Sequence, residues 1–188
     1  MRKNAFMGVL LLILLCFFSM TPACAEGFPA GEWAFSSEPD VPVLRIGEDG
    51  SALYKGIAYQ FEDDGRFLIL TGEEGEVLRL RYLVTEKAVY LYVNSSYSRK
   101  EGTAGEGIVG VWNMDGSETS FFEFTKNGRF LEDGVFDGTY QVDEEEGSFR
   151  LIYTMYFSDT VCYYLREGEH MSLEYPWSLK EIREETAP

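Results

Sequence analysis

Three residue types in this 188-residue chain could carry chemistry: a single histidine, three cysteines and an abundance of carboxylates. A nucleophilic triad needs a histidine or an equivalent base. His170 stands in Gly168-Glu169-His170-Met171-Ser172, just past a hairpin turn, and reads as a solvated turn residue rather than a base. No Gly-x-Ser-x-Gly elbow, His-Glu-x-x-His, phosphate loop or Cys-x-x-Cys occurs in the chain. One histidine with so few cysteines does not build an ordinary structural zinc site. The expectation is therefore no catalytic residue, no cofactor and no metal centre.

Carboxylates offer two other chemistries. Glu62-Asp63-Asp64 and Asp143-Glu144-Glu145-Glu146 each run up to a turn glycine. Glycoside hydrolysis needs two carboxylates at a set separation, one of them buried, whereas runs on hairpin tips are solvated. Weak calcium binding suits clustered oxygens better, although neither run has the spaced Asp-x-Asp-x-Asp-Gly loop. Solvated turns are the favoured reading.

Charge narrows the partners further. The chain holds 32 Asp plus Glu against 16 Lys plus Arg, a net −16. Such a surface repels phosphate backbones, so nucleic acid is excluded as a partner and an anionic membrane is disfavoured. Met1-Arg2-Lys3-Asn4, the apolar run 5–20 and the small-x-small ending Ala23-Cys24-Ala25 together read as a secretory signal peptide over residues 1–25. An exported protein, secreted or in the cell envelope, is expected, with no transmembrane segment in the mature chain. The alternative makes Cys24 the lipid-modified first residue of a lipoprotein, but Thr21 stands where that motif wants a Leu-like side chain. Cutting after Ala25 leaves Cys162 as the one cysteine, so no internal disulfide forms and the thiol reads as buried and inert.

The elements that must position any site are strands. Val77-Leu78-Arg79-Leu80-Arg81-Tyr82 and Ser148-Phe149-Arg150-Leu151-Ile152-Tyr153 alternate with period 2, placing Leu78, Leu80 and Tyr82 on one face and Arg79 and Arg81 on the other. Asp49-Gly50, Asp64-Gly65, Asn127-Gly128, Asp133-Gly134 and Glu146-Gly147 supply hairpin turns. The fold class expected is all-β, an antiparallel meander closing into one or more barrels. The chain also repeats. Gly31-Glu32-Trp33 recurs as Gly110-Val111-Trp112, Tyr82-Leu83 as Tyr164-Leu165 at an offset of 82, and Leu91 as Leu173 at the same offset. This predicts a spacer over 26–30, tandem units over 31–104 and 105–184, and a short tail over 185–188.

The Gly-x-Trp opening of each unit, followed by short strands and a final Trp177-Ser178-Leu179-Lys180-Glu181-Ile182-Arg183, resembles the small bacterial lipocalin-like (calycin-type) domains. The resemblance implies a structural signature of Gly31, Trp33, Gly110 and Trp112. In it, each Trp plugs a barrel end, and Lys180 or Arg183 on the last strand packs across the ring of Trp112. Units of this length are expected to be filled by their own side chains: in the second unit Phe122, Phe124, Phe130, Tyr140, Val142, Phe149, Leu151, Tyr163, Leu165 and Leu173 form the inward set.

Tyr90, Tyr92 and Tyr164 alternate against aliphatic neighbours and form a candidate contact face, which either meets a partner or packs against the sister unit. Three functions are open on these grounds. The leading one is an exported non-catalytic binding or interaction protein, with a protein or glycan as partner. The second is a carrier of an apolar small molecule inside a single merged barrel. The third is a carboxylate-based hydrolase.

Overall fold

The structure is a computed structural model and describes residues 27–103, 105–155 and 159–183. The expected signal peptide, Cys24 and the 185–188 tail lie outside these residues. The first half of the chain forms β1 (Gly31–Phe35), β2 (Pro42–Ile46), β3 (Ser51–Tyr54), β4 (Ile57–Asp63), β5 (Phe67–Thr71), β6 (Val77–Val84) and β7 (Val89–Arg99). The second half forms β8 (Gly110–Met114), β9 (Phe121–Phe124), β10 (Arg129–Glu132), β11 (Phe136–Asp143), β12 (Ser148–Tyr153), β13 (Thr160–Glu167) and β14 (His170–Glu181). Every pairing is antiparallel and each strand pairs with its chain neighbour, as short strands joined by tight turns must. Two turn glycines show the requirement: Gly65 has φ +84° and Gly147 φ +59°, and each follows an acidic residue.

β1 pairs with β14 to close the fourteen strands into a ring without a free edge. The ring is pinched, because β7 and β14, at 11 and 12 residues, also pair with each other along almost their whole length. Each long strand serves two lobes. The start of β7 pairs with β6 and its end with β8. The start of β14 pairs with β13 and its end with β1. The sequence segments 31–104 and 105–184 thus exchange strand ends: Tyr97 is buried in the second core and Leu179 in the first. Pro176 falls between the β13-paired and β1-paired parts of β14, where the strand has a neighbour on one side only and a missing N–H is tolerated.

Directly opposed residues share a sheet face, so the β7–β14 ribbon has two distinct faces. Leu91, Tyr97, Met171, Leu173 and Leu179 lie on one and fill the two cores. Tyr92, Asn94, Ser172 and Glu174 lie on the other. The register repeats under the 82-residue offset: Leu91 opposes Trp177 as Leu173 opposes Ser95, and Val89 opposes Leu179 as Met171 opposes Tyr97. Val93 opposes Tyr175 and maps onto itself, which places a pseudo-two-fold axis through that pair.

Each lobe has its own cluster of buried side chains. The first centres on Leu44, Leu68, Leu70 and Leu91, the second on Trp112, Phe124, Phe149 and Leu151, all under 2% exposed. Two members of the expected inward set point elsewhere: Leu165 is 64% exposed and Tyr163 lies on the outer face, while Cys162 and Tyr164 turn toward the core. Val142 keeps the inward frame opposite Phe149 but is exposed near the end of β11. The run Val161-Cys162-Tyr163-Tyr164-Leu165 has no polar alternation, so its frame is set by the pairing of Phe149 with Cys162 across β12 and β13.

Candidate functional site

At the waist, on the outer face of the β7–β14 ribbon, side chains from both lobes converge on Arg81 of β6. Alternation puts Leu80 and Tyr82 inside the first core and Arg81 outside it. From there its guanidinium crosses β7. Nε donates to Glu174 Oε2 at 2.7 Å, and the guanidinium carbon stacks 3.6 Å from the Tyr163 ring centroid. Phe67 stacks on the same guanidinium at 4.5 Å. The pair is largely sheltered, with Arg81 16% and Glu174 28% exposed in their side chains. A delocalised, weakly hydrated guanidinium suits such a place better than an ammonium would.

A cleft of about 270 Å³ opens beside this pair. Its floor holds Asn94 and Ser172, where Asn94 Nδ2 donates to Ser172 Oγ at 2.8 Å. Tyr163, Tyr164 and Leu165 form one wall, and Glu146 stands on the rim. Arg66 approaches Glu146 at 3.9 Å, so an exposed ion pair joins the β4–β5 and β11–β12 hairpin tips of the two lobes.

The candidate tyrosines divide. Tyr92 is only 8% exposed, because the Tyr163 ring covers it edge-on at 5.5 Å. Burial, with Tyr163 beside it, pushes its hydroxyl well above the ordinary value of 10. Tyr164 leans on Phe149 of the second core at 5.6 Å, and Tyr90 is half-buried. The three do not form an exposed stripe; Tyr92 instead packs across the waist against the other lobe.

Gly31 and Gly110 both adopt φ +140°, and a Cβ at Gly110 would lie 2.7 Å from the Thr103 carbonyl oxygen. Trp33 and Trp112 are 7% and 0% exposed, and each ring N–H donates to the carbonyl four residues back, at Pro29 and Ile108. The expected basic partner of Trp112 is corrected. Arg99, not Lys180 or Arg183, stacks on its ring at 4.4 Å. The end of β14 runs beside β1, where Lys180 opposes Ala34, and Arg183 pairs with Glu181. The strand lying beside Trp112 is β7, and Arg99 opposes it in register.

Comparison with family models, with curated proteins and with solved structures finds no match.

The acidic runs behave as turn and docking groups. Asp64 accepts from the backbone N–H groups of Arg66 and Phe67, which hold its carboxyl below the ordinary value. Asp143 accepts from the backbone N–H groups of Glu145 and Glu146. Asp63 accepts from the Phe28 N–H at 2.7 Å and from the Tyr82 hydroxyl at 2.6 Å, tying the segment before β1 to the first core. Among the described residues, no three His, Cys, Asp or Glu side chains converge as a metal site requires. Among the described residues, no helix is long and apolar enough to cross a membrane. His170 is exposed, with Nδ1 3.2 Å from Ser98 Oγ.

Two groups escaped the sequence reading. Arg81 is one; the 82-residue offset maps it onto Tyr163, the residue it touches. Glu132 is the other, because it shares the inward frame of Phe130 on β10. Its Oε2 accepts from the Tyr153 hydroxyl at 2.7 Å, and Tyr153 meets the Tyr175 hydroxyl at 3.1 Å. Burial raises the Glu132 carboxyl above its ordinary value and pushes Tyr175 up to about 12.

Proposed function

We propose that this chain is an exported, non-catalytic binding protein that holds its ligand or partner in the waist cleft. The observation that carries the reading is the fixed polar array around Arg81, Asn94, Ser172 and Glu174, built from strands of both lobes and open to solvent. Binding needs little more than such preorganised donors and acceptors. Export rests on the signal-like residues 1–25. The Gly-x-Trp openings, their shared +140° glycines and the Arg99–Trp112 stack support kinship with lipocalin-like barrels.

Native mass spectrometry of the protein purified from its own host tests the reading. The expected result is a mature mass beginning after Ala25 and an additional bound mass, which an Asn94→Ala/Ser172→Ala variant of unchanged melting temperature loses. Retention of the bound mass by that variant would remove the cleft from consideration.

A further inference from the structure

Resting on that reading, we propose that the waist cleft takes a neutral polyhydroxylated ligand, a mono- or disaccharide, through Arg81, Asn94, Ser172 and Glu174. Charge supplies the first argument. Arg81 and Glu174 already neutralise each other at 2.7 Å, so the cleft presents dipoles rather than a net charge at its floor. On the rim Arg66 lies 3.9 Å from Glu146, so the charges around the cleft are paired: an anion drawn to Arg81 must face Glu174 and Glu146, and a cation drawn to the carboxylates must face Arg81 and Arg66. A ligand rich in hydroxyl groups meets neither penalty.

Hydrogen-bonding capacity supplies the second. Arg81 spends Nε on Glu174, while its two terminal nitrogens donate to no described residue and are not sealed from solvent. A guanidinium carries five N–H donors, so four remain for a ligand. Glu174 keeps Oε1 as an acceptor. Asn94 and Ser172 each donate and accept, and their mutual bond leaves further capacity on both. Alternating donors and acceptors at adjacent positions match vicinal hydroxyls. A hydroxyl-binding site of this kind discriminates strongly, because a ligand lacking the hydroxyl leaves its polar groups unpaired.

Rigidity and size complete the case. Stacking between Phe67 and Tyr163 holds the guanidinium plane, and Asn94 and Ser172 sit on the one ribbon that runs through both lobes. Leu165, exposed on the wall, offers an apolar contact for the ring carbons. The volume lies just below that of sites for drug-sized molecules, which start at about 300 Å³, and suits one or two sugar rings.

The test is an NMR titration of the isotope-labelled chain with glucose, galactose, mannose, N-acetylglucosamine, maltose and cellobiose, and in parallel with glutamate, succinate and spermidine. At least one sugar is expected to give saturable shifts below about 10 mM, confined to the Asn94 side-chain amide, the Arg81 Nε–H and the backbone of Gly147 and Leu165. Asn94→Ala and Ser172→Ala, each with an otherwise unchanged spectrum, are expected to weaken that sugar about fivefold or more. If only a charged compound shifts these residues, the sugar assignment falls while the cleft remains the binding site. If nothing shifts them, the sugar assignment falls and the cleft loses its support as well. A sugar that saturates elsewhere, or binds the two variants as well as the parent, also overturns the proposal.

Discussion

Arg81 and Tyr163 occupy equivalent positions in the two halves of the chain, 82 residues apart, and their side chains stack on each other at 3.6 Å across the waist. The same offset relates Tyr92 to Glu174, two further members of the cluster. A symmetric pair of arginines here would repel, and a symmetric pair of tyrosines would leave Glu174 without its partner. Divergence at these positions is what makes the lock between the lobes. Replacing Arg81 by Ala leaves a sheltered carboxylate unpaired and removes two aromatic stacks, so a loss of about 1–3 kcal/mol is expected. Arg81→Lys recovers little of it, because an ammonium does not stack as a plane between Phe67 and Tyr163. A double-mutant cycle with Tyr163→Leu in urea, reading a coupling of about 0.5–2 kcal/mol, checks the stack directly. A coupling of zero would mean that the two side chains are merely adjacent.

Arg99 predicts a second lock with a different readout. Its side chain is 3% exposed, stacks on Trp112, and donates through Nη2 to the Gly107 carbonyl at 2.9 Å and through Nη1 to the Gly105 carbonyl at 3.4 Å. The arginine thus pins the connection between β7 and β8 over the end of the second core. Arg99→Met keeps the bulk but loses the cation and the fork, and is expected to cost about 1–3 kcal/mol. The released connection should also become accessible, so limited trypsin digestion is expected to cut after Lys100 faster in the variant than in the parent. Equal cleavage rates would remove the connection from Arg99's role.

Much of the lobes was legible in sequence, and the waist was not. The alternation in Val77–Tyr82 placed Leu80 and Tyr82 inside and Arg81 outside, because one solvated face forces period 2. The Asp-Gly and Asn-Gly turns fixed the hairpins. The exchange of strand ends between β7 and β14 leaves no such local trace: Tyr97 and Leu179 look like ordinary core residues of their own segments. Only the long pairing of His170–Leu179 with Val89–Ser98 sends them across. Lys180 was matched to Trp112 for the same reason, since reading it there assumes that each unit closes on its own last strand. Contacts such as Arg81–Tyr163 depend on that same exchange. They could be found only by asking what the 82-residue offset does to outward residues as well as inward ones.

Cys162 should behave as part of the second core rather than as a reagent. It is 0% exposed, opposite Phe149, and burial drives its thiol well above the ordinary value of 9.0. Little thiolate exists to react at neutral pH. Peptide-mapped alkylation is expected to leave Cys162 unmodified in the native protein and to label it only as denaturant unfolds the chain. Cys162→Ser places a hydroxyl among Phe149, Leu151 and their neighbours and is expected to cost about 1–3 kcal/mol, whereas rapid labelling under native conditions would contradict the buried thiol.

Glu132 gives a pH dependence with a definite sign. Desolvation is the largest influence on its carboxyl and raises it above the ordinary 4.5, with Asp133 adding to the rise and the Tyr153 hydroxyl partly opposing it. A carboxyl raised in the folded state favours folding only while protonated. That contribution is complete below the unfolded value and is lost as pH rises through the folded one, so at pH 7 the ionised group weighs against the fold. Glutamine keeps the shape and still accepts from Tyr153, without the charge. Glu132→Gln is therefore expected to raise the melting temperature at pH 7 and to give no advantage at pH values below about 4, where Glu132 itself is neutral. Thermal melts of parent and variant across that range make the comparison. A variant less stable than the parent at pH 7 would mean that the ionised carboxylate, held by the Tyr153 hydroxyl, stabilises the second lobe.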